Sequence, residues 1–135
     1  MATTEADRLR QFAITRRLEA AGFRAWPATS THYDGTWAVR LTTSFPAKRL
    51  NSVNPLDPSD DRDIEGRIAR ARAHFAAAGR ELIFRQSPLA PPALKAHLDA
   101  EGWESFGESV VFTADLATLD LSDALDRIPI RDAER

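Results

Sequence analysis

The stretch Lys48-Arg49-Leu50-Asn51-Ser52-Val53-Asn54-Pro55 runs directly into Leu56-Asp57-Pro58-Ser59-Asp60-Asp61-Arg62-Asp63, and this junction constrains the fold more than any other part of the chain. Its first half reads as a short strand, its second as an acidic loop that caps a helix. A strand, a tight loop and a helix N-terminus form a common phosphate-binding device, because backbone N–H groups point out of the helix end. Here the loop holds four aspartates and no glycine. The reading predicts the geometry of such a device without its chemistry.

The rest of the chain predicts the order α, β, β, β, α, β, α, β. A first helix spans about Thr4 to Ala21, capped by Thr3 or Thr4, with Glu5 and Asp7 in its first turn. Leu9, Phe12, Ile14, Leu18 and Ala21 form its apolar side, and Gly22 ends it. Asp34-Gly35 is a turn signal between two β-prone arms, Ala28 to Tyr33 and Thr36 to Thr43. Trp37, Val39 and Leu41 alternate with Ala38, Arg40 and Thr42, which leaves Arg40 on the polar side. A third strand covers Lys48 to Val53. A second helix, about Arg62 to Ala78, aligns Ile64, Ile68, Ala71 and Phe75 at helical spacing and stops at Gly79. Arg80 to Arg85 is a short strand. Pro91-Pro92 opens a third helix carrying Leu94 and Leu98, ended by Gly102, and Glu108 to Asp115 is the last strand.

That order defines an α/β (α+β) fold with a mixed central sheet. An antiparallel meander comes first. A strand–helix–strand crossover from Val53 to Phe84 then joins parallel strands, and helices cover both faces. A length of 135 residues fits one domain. The formal charge of −2 supplies no basic field for nucleic acid. With no cysteine there is no disulfide, thiolate metal site or cysteine nucleophile, which fits a cytoplasmic location. No basic segment followed by an apolar run marks a signal peptide, and no apolar run suggests a membrane span.

The order and certain residues resemble the GNAT superfamily of N-acetyltransferases. Trp26-Pro27, Asp34-Gly35, Trp37 with Arg40, Arg49 with Asn51-Ser52-Val53-Asn54-Pro55, and Phe84-Arg85 with Pro88 look like the N-terminal half of bacterial two-domain GNAT proteins. The Arg-x-Asn-Ser-Val-x-Pro stretch is the most specific of these. The resemblance covers roughly Leu18 to Leu116. It implies a GNAT-like N-terminal domain over residues 1–118. Residues 119–135 would then form a linker and the possible first strand of a following domain, with Ile128-Pro129-Ile130-Arg131-Asp132-Ala133-Glu134 as that strand.

GNAT enzymes hold acetyl-CoA where the third meander strand meets the next helix. Their motif there is Arg or Gln, two residues, Gly, one residue, then Gly or Ala. The matching place, Leu56 to Asp63, departs from it at both glycine-type positions. The resemblance therefore implies acetyl-CoA as the cofactor of a parent enzyme and no cofactor at this chain's own loop. It implies a C-terminal catalytic GNAT domain as partner. The alternative is a stand-alone, degenerate GNAT-fold interaction or ligand-binding module, with a homodimer as one form. An isolated half is expected to expose an apolar surface, or to bury it by dimerising.

Arg40, Arg49, Asn51 and Ser52 are the candidate substrate-binding residues, because arginines can grip a carboxylate or phosphate bidentately. The structural alternative pairs Arg49 with an aspartate of the next loop, lets Asn51 tie a turn, and makes Ser52 and Asn54 local hydrogen bonders. No catalytic base is located. His32, His74 and His97 lack metal-site spacing and read as solvated or core-edge side chains, with His32 the one near the expected cleft. Trp37 reads as core, Trp26 as hinge packing, and Trp103 as packing on the last strand. Arg67, Arg70, Arg72 and Arg80 read as a solvated helix face.

Overall fold

Thr4 caps the first helix, α1 (Glu5–Ala25): its hydroxyl accepts the Asp7 N–H at 3.1 Å, and the Asp7 carboxylate accepts the Thr4 N–H at 3.2 Å. The computed structural model describes residues 2–120, in one unit ending at Glu104 and a second beginning at Ser105. Helix α1 runs through Gly22, where the sequence predicts a stop. Gly22 is not in the left-handed region. The helix ends instead at Trp26, the residue that Pro27 pushes out of helical geometry.

The hairpin forms as β1 (Ser30–Asp34) and β2 (Trp37–Leu41), with Asp34 opposite Trp37. The turn itself is Gly35-Thr36, and Gly35 takes φ +60°. A third strand, β3 (Ser52–Pro55), pairs antiparallel with β2. It is shifted from the expected Lys48 to Val53, because Lys48–Leu50 close into a 3₁₀ turn. The expected strand from Arg80 to Arg85 reduces to one parallel bridge. The Val53 N–H donates to Ile83 O, and the Arg85 N–H to Val53 O, each at 2.8 Å. Among the described residues the regular sheet is thus a three-stranded antiparallel meander in the order β1-β2-β3.

Pairing sets His32, Val39, Val53 and Phe84 in one row across the sheet, so their side chains share a face. On that face Trp37, Val39, Leu41 and Val53 meet Ile68, Ala71 and Phe75 of α2 (Ile64–Ala77) and Leu94 and Leu98 of α3 (Pro92–Ala100). Trp103 packs edge-on against Phe84, with ring centres 5.5 Å apart, rather than on a last strand. The other face, with Arg40, carries α1. The apolar side expected for α1 is not its contact. No α1 residue is buried, and Leu9, Ile14 and Leu18 are exposed. The sheet face beneath it is polar, so α1 attaches through Phe23 over the Arg40 guanidinium and a Glu19–Arg85 ion pair.

In the second unit, residues 105–115 form no strand, against the expected Glu108 to Asp115. One 3₁₀ turn, Leu116–Thr118, follows, capped by Asp115. The stretch expected as a second-domain strand, Ile128 to Glu134, lies outside the described residues. So does the expected linker beyond Asp120.

Candidate functional site

Two of the four candidate substrate residues come together. Arg40 lies opposite Ser52, and Ala38 opposite Asn54, so Arg40, Ser52 and Asn54 share the face beneath α1. Sequence alternation correctly separates Arg40 from the apolar side. It does not foresee that Arg40 is only 1 % exposed. Its Nη1 donates to Arg49 O at 3.0 Å, its Nη2 to Trp26 O, and its guanidinium lies 4.4 Å from the centre of the Phe23 ring. Burial, then the charges of Arg85 and Arg49, make Arg40 less basic than usual. Asn54 Nδ2 donates to Ser52 O at 3.0 Å and Ser52 Oγ at 3.2 Å. Two buried atoms of this layer, Arg40 Nε and Asn54 Oδ1, have no hydrogen-bond partner among the described residues. One is a donor and the other an acceptor, so the layer retains unused polar capacity.

Arg49 and Asn51 do not join it. A 3₁₀ turn takes the place of the expected strand at Lys48–Leu50, leaving Arg49 exposed and Asn51 turned toward the preceding loop. Asn51 Oδ1 accepts the Thr42 N–H at 2.8 Å, and its Nδ2 donates to Phe45 O at 2.8 Å and Ala47 O at 3.0 Å. Asn51 therefore ties the β2–β3 connection, and its hydrogen-bonding groups are committed to the backbone.

The acidic loop after β3 is locked from inside. Asp60 and Arg67, 6 % and 5 % exposed, form a two-pronged pair at 3.0 and 2.9 Å. The same carboxylate accepts the Thr36 N–H at 2.8 Å and its hydroxyl at 2.7 Å. These donors, led by Arg67, hold the Asp60 carboxyl far below the usual carboxylate range. Gly35 sits against this pair so closely that a Cβ there would lie 1.7 Å from Arg67 Nη2. Arg67 also lies 4.7 Å from the centre of the Trp37 ring system. Neither Arg67 nor Arg80 belongs to a solvated face. Arg67 is buried, and half-buried Arg80 donates to Thr42 O and Thr43 O at 3.3 and 2.6 Å. Arg70 is exposed but bound to Asp34 at 2.9 Å and Asp63 at 3.1 Å.

A cleft of about 440 Å³ opens between β1 and α2. Trp37, Val39, Val53 and Ala71 line its depth, and His32, Asp34, Arg70 and His74 line it as well. The His32 and His74 rings meet edge-on at 4.5 Å between centres. Burial, then the neighbouring His74, lowers the His32 pKa, against a smaller opposing pull from Asp34. Residue spacing could not reveal this pair, which forms only when α2 packs on the sheet. The one available signal was that His32 shares a strand face with Val39's row and His74 adjoins Phe75.

The chain matches no protein-family model, no curated protein and no solved structure. Among the described residues, no helix is long and apolar enough to cross a membrane.

Proposed function

We propose that this chain is a GNAT-like N-terminal domain serving a cytoplasmic N-acetyltransferase. It shapes the acceptor side of the cleft and leaves acetyl-CoA to a C-terminal catalytic GNAT domain. The observation that carries the reading is the lock on the loop after β3. That loop follows an antiparallel meander and leads through α2 to a parallel bridge at Phe84, which supports the first part of the order that the resemblance implies. Where a pyrophosphate would need open backbone donors, the loop presents aspartates, and Asp60 is held by Arg67 and Thr36. The buried Arg40–Ser52–Asn54 layer supports a role in forming a polar wall. In the whole enzyme an acceptor amine attacks the acetyl thioester, and this domain contributes positioning.

Val110, Val111 and Phe112 are 73, 70 and 89 % exposed, which supports a surface meant to be covered. The stand-alone module has one observation in its favour. Among the described residues strand β1 pairs with β2 alone and so presents an edge to a second copy or partner.

Calorimetric titration with acetyl-CoA tests the reading. No saturable heat up to millimolar ligand is the expected result. Micromolar binding, about −8 kcal/mol, would overturn it. Sequencing the gene past codon 135 supplies a second arm. A continuing frame with the Arg/Gln-x-x-Gly-x-Gly/Ala motif supports the half-enzyme, and a stop codon there overturns it in favour of the stand-alone module.

A further inference from the structure

The histidine pair in the β1–α2 cleft has no part in the acetyltransferase reading. It brings imidazoles from two separate elements to 4.5 Å between ring centres. Two imidazoles bound to one metal ion through bonds of about 2.0–2.1 Å place their ring centres about 4.5 Å apart at a right angle and about 5.3 Å apart at the tetrahedral angle. The observed separation equals the right-angle value, and opening the pair by about 1 Å reaches the tetrahedral one. Both side chains are exposed at the cleft, so solvent can complete the coordination sphere.

We propose that His32 and His74 form a two-imidazole site for a borderline divalent transition cation, taking Zn²⁺ or Cu²⁺ in preference to Mg²⁺ or Ca²⁺. Nitrogen ligands select these ions over the hard, oxygen-seeking cations. Among the described residues no third His, Cys, Asp or Glu converges there to make a fuller set. Asp34, the nearest carboxylate along β1, is engaged by Arg67 and Arg70 at 3.3 and 2.9 Å. The site thus has two protein ligands and binds more weakly than the four-ligand set of a structural zinc. The cations alongside do not oppose it: Arg67 and Arg70 are neutralised by Asp34, Asp60 and Asp63. Bound metal would clamp the edge strand β1 to α2. The inference stands whether or not the chain serves an acetyltransferase.

Zinc chloride titration of the full chain at about pH 7.5, where imidazole is neutral, tests it by calorimetry and by the ¹H signals of the three imidazoles. The expected result is one saturable site, with His32 and His74 signals moving together and His97 unmoved. H32Q and H74Q should each abolish binding, while H97Q should keep it. Wild type should also melt higher with Zn²⁺ present, because the ion binds the folded state. The absence of saturable binding, movement of His97 alone, or binding retained in H32Q or H74Q would overturn the proposal. The wild-type imidazole signals decide the matter even if a variant does not fold.

Discussion

Arg67 is a cation held almost wholly out of water, and its partners decide whether it is tolerable. Removing one member of a buried pair strands the other, at a cost of about 3–5 kcal/mol. Arg67→Ala is therefore expected to destabilise the chain by about that amount in urea unfolding, whereas an exposed pair would cost less than about 1 kcal/mol. The uncharged double variant Arg67→Met with Asp60→Asn should be less damaged than either single change. Gly35→Ala should be costly for two reasons: the new Cβ would meet Arg67 Nη2, and the position has φ +60°. A loss of about 1–3 kcal/mol is expected, and an unchanged urea midpoint would remove Gly35 from the lock. Asp60 also sets an acid limit. Its folded pKa is depressed, so its contribution is present above the ordinary carboxylate range and fades as pH falls through that range toward the folded value. Asp60→Asn should flatten that part of the stability profile; an unaltered acid slope would assign it to other carboxylates.

Contact between elements also gives a second pH dependence, at β1 against α2. His32 faces His74 of α2, while Asp34 along its own strand is bridged to Arg67 and Arg70. Its folded pKa is lowered, so the unfolded chain takes the proton first. Stability is full above the ordinary histidine range and declines as pH drops below about 6.5. His32→Asn should reduce that decline in thermal melts between about pH 7.5 and 5; an identical decline would rule out the pair as its source. The helices α2 and α3 were legible because their signals are local: the Ile64–Phe75 stripe, Gly79, Pro91-Pro92 and Gly102. The hairpin was legible from Asp34-Gly35, displaced by one residue. What failed depended on partners. Arg80 to Arg85 and Glu108 to Asp115 have β-prone residues, but a ladder also needs a neighbouring strand in register. Alternation put Arg40 on the polar side of β2 but could not say that Ser52 lies opposite it or that α1 covers that face. Arg49 and Asn51 stay out of the layer because a 3₁₀ turn, not the expected strand, covers Lys48–Leu50. The His32–His74 and Asp60–Arg67 pairs arise from packing that no local pattern encodes.

At the scale of the molecule, the buried apolar cluster and its partly buried neighbours are drawn from Trp37 through Trp103. All of these side chains lie in the unit that ends at Glu104. In the following stretch Val110, Val111, Phe112 and Leu116 are 70–89 % exposed. Side chains that stay in water gain little from folding, since hydrophobic stabilisation scales with apolar area removed from solvent. A full chain in which Val110, Val111 and Phe112 are all replaced by Ser should therefore retain nearly all the stability of the original. Surface changes of this kind stay within about 0.5 kcal/mol, which moves Tm by no more than about 2–4 °C in a domain of this size. The same exposed run has the composition that drives edge-to-edge association: β-branched, aromatic and uncharged. Val111→Lys, or the triple replacement, should lower light scattering at high concentration while leaving Tm in place. A Tm fall of about 8 °C or more in the triple variant, equivalent to more than about 1 kcal/mol, would place part of the folding energy in residues 110–112. The exposed run would then belong to the core of this chain rather than to a surface awaiting a partner.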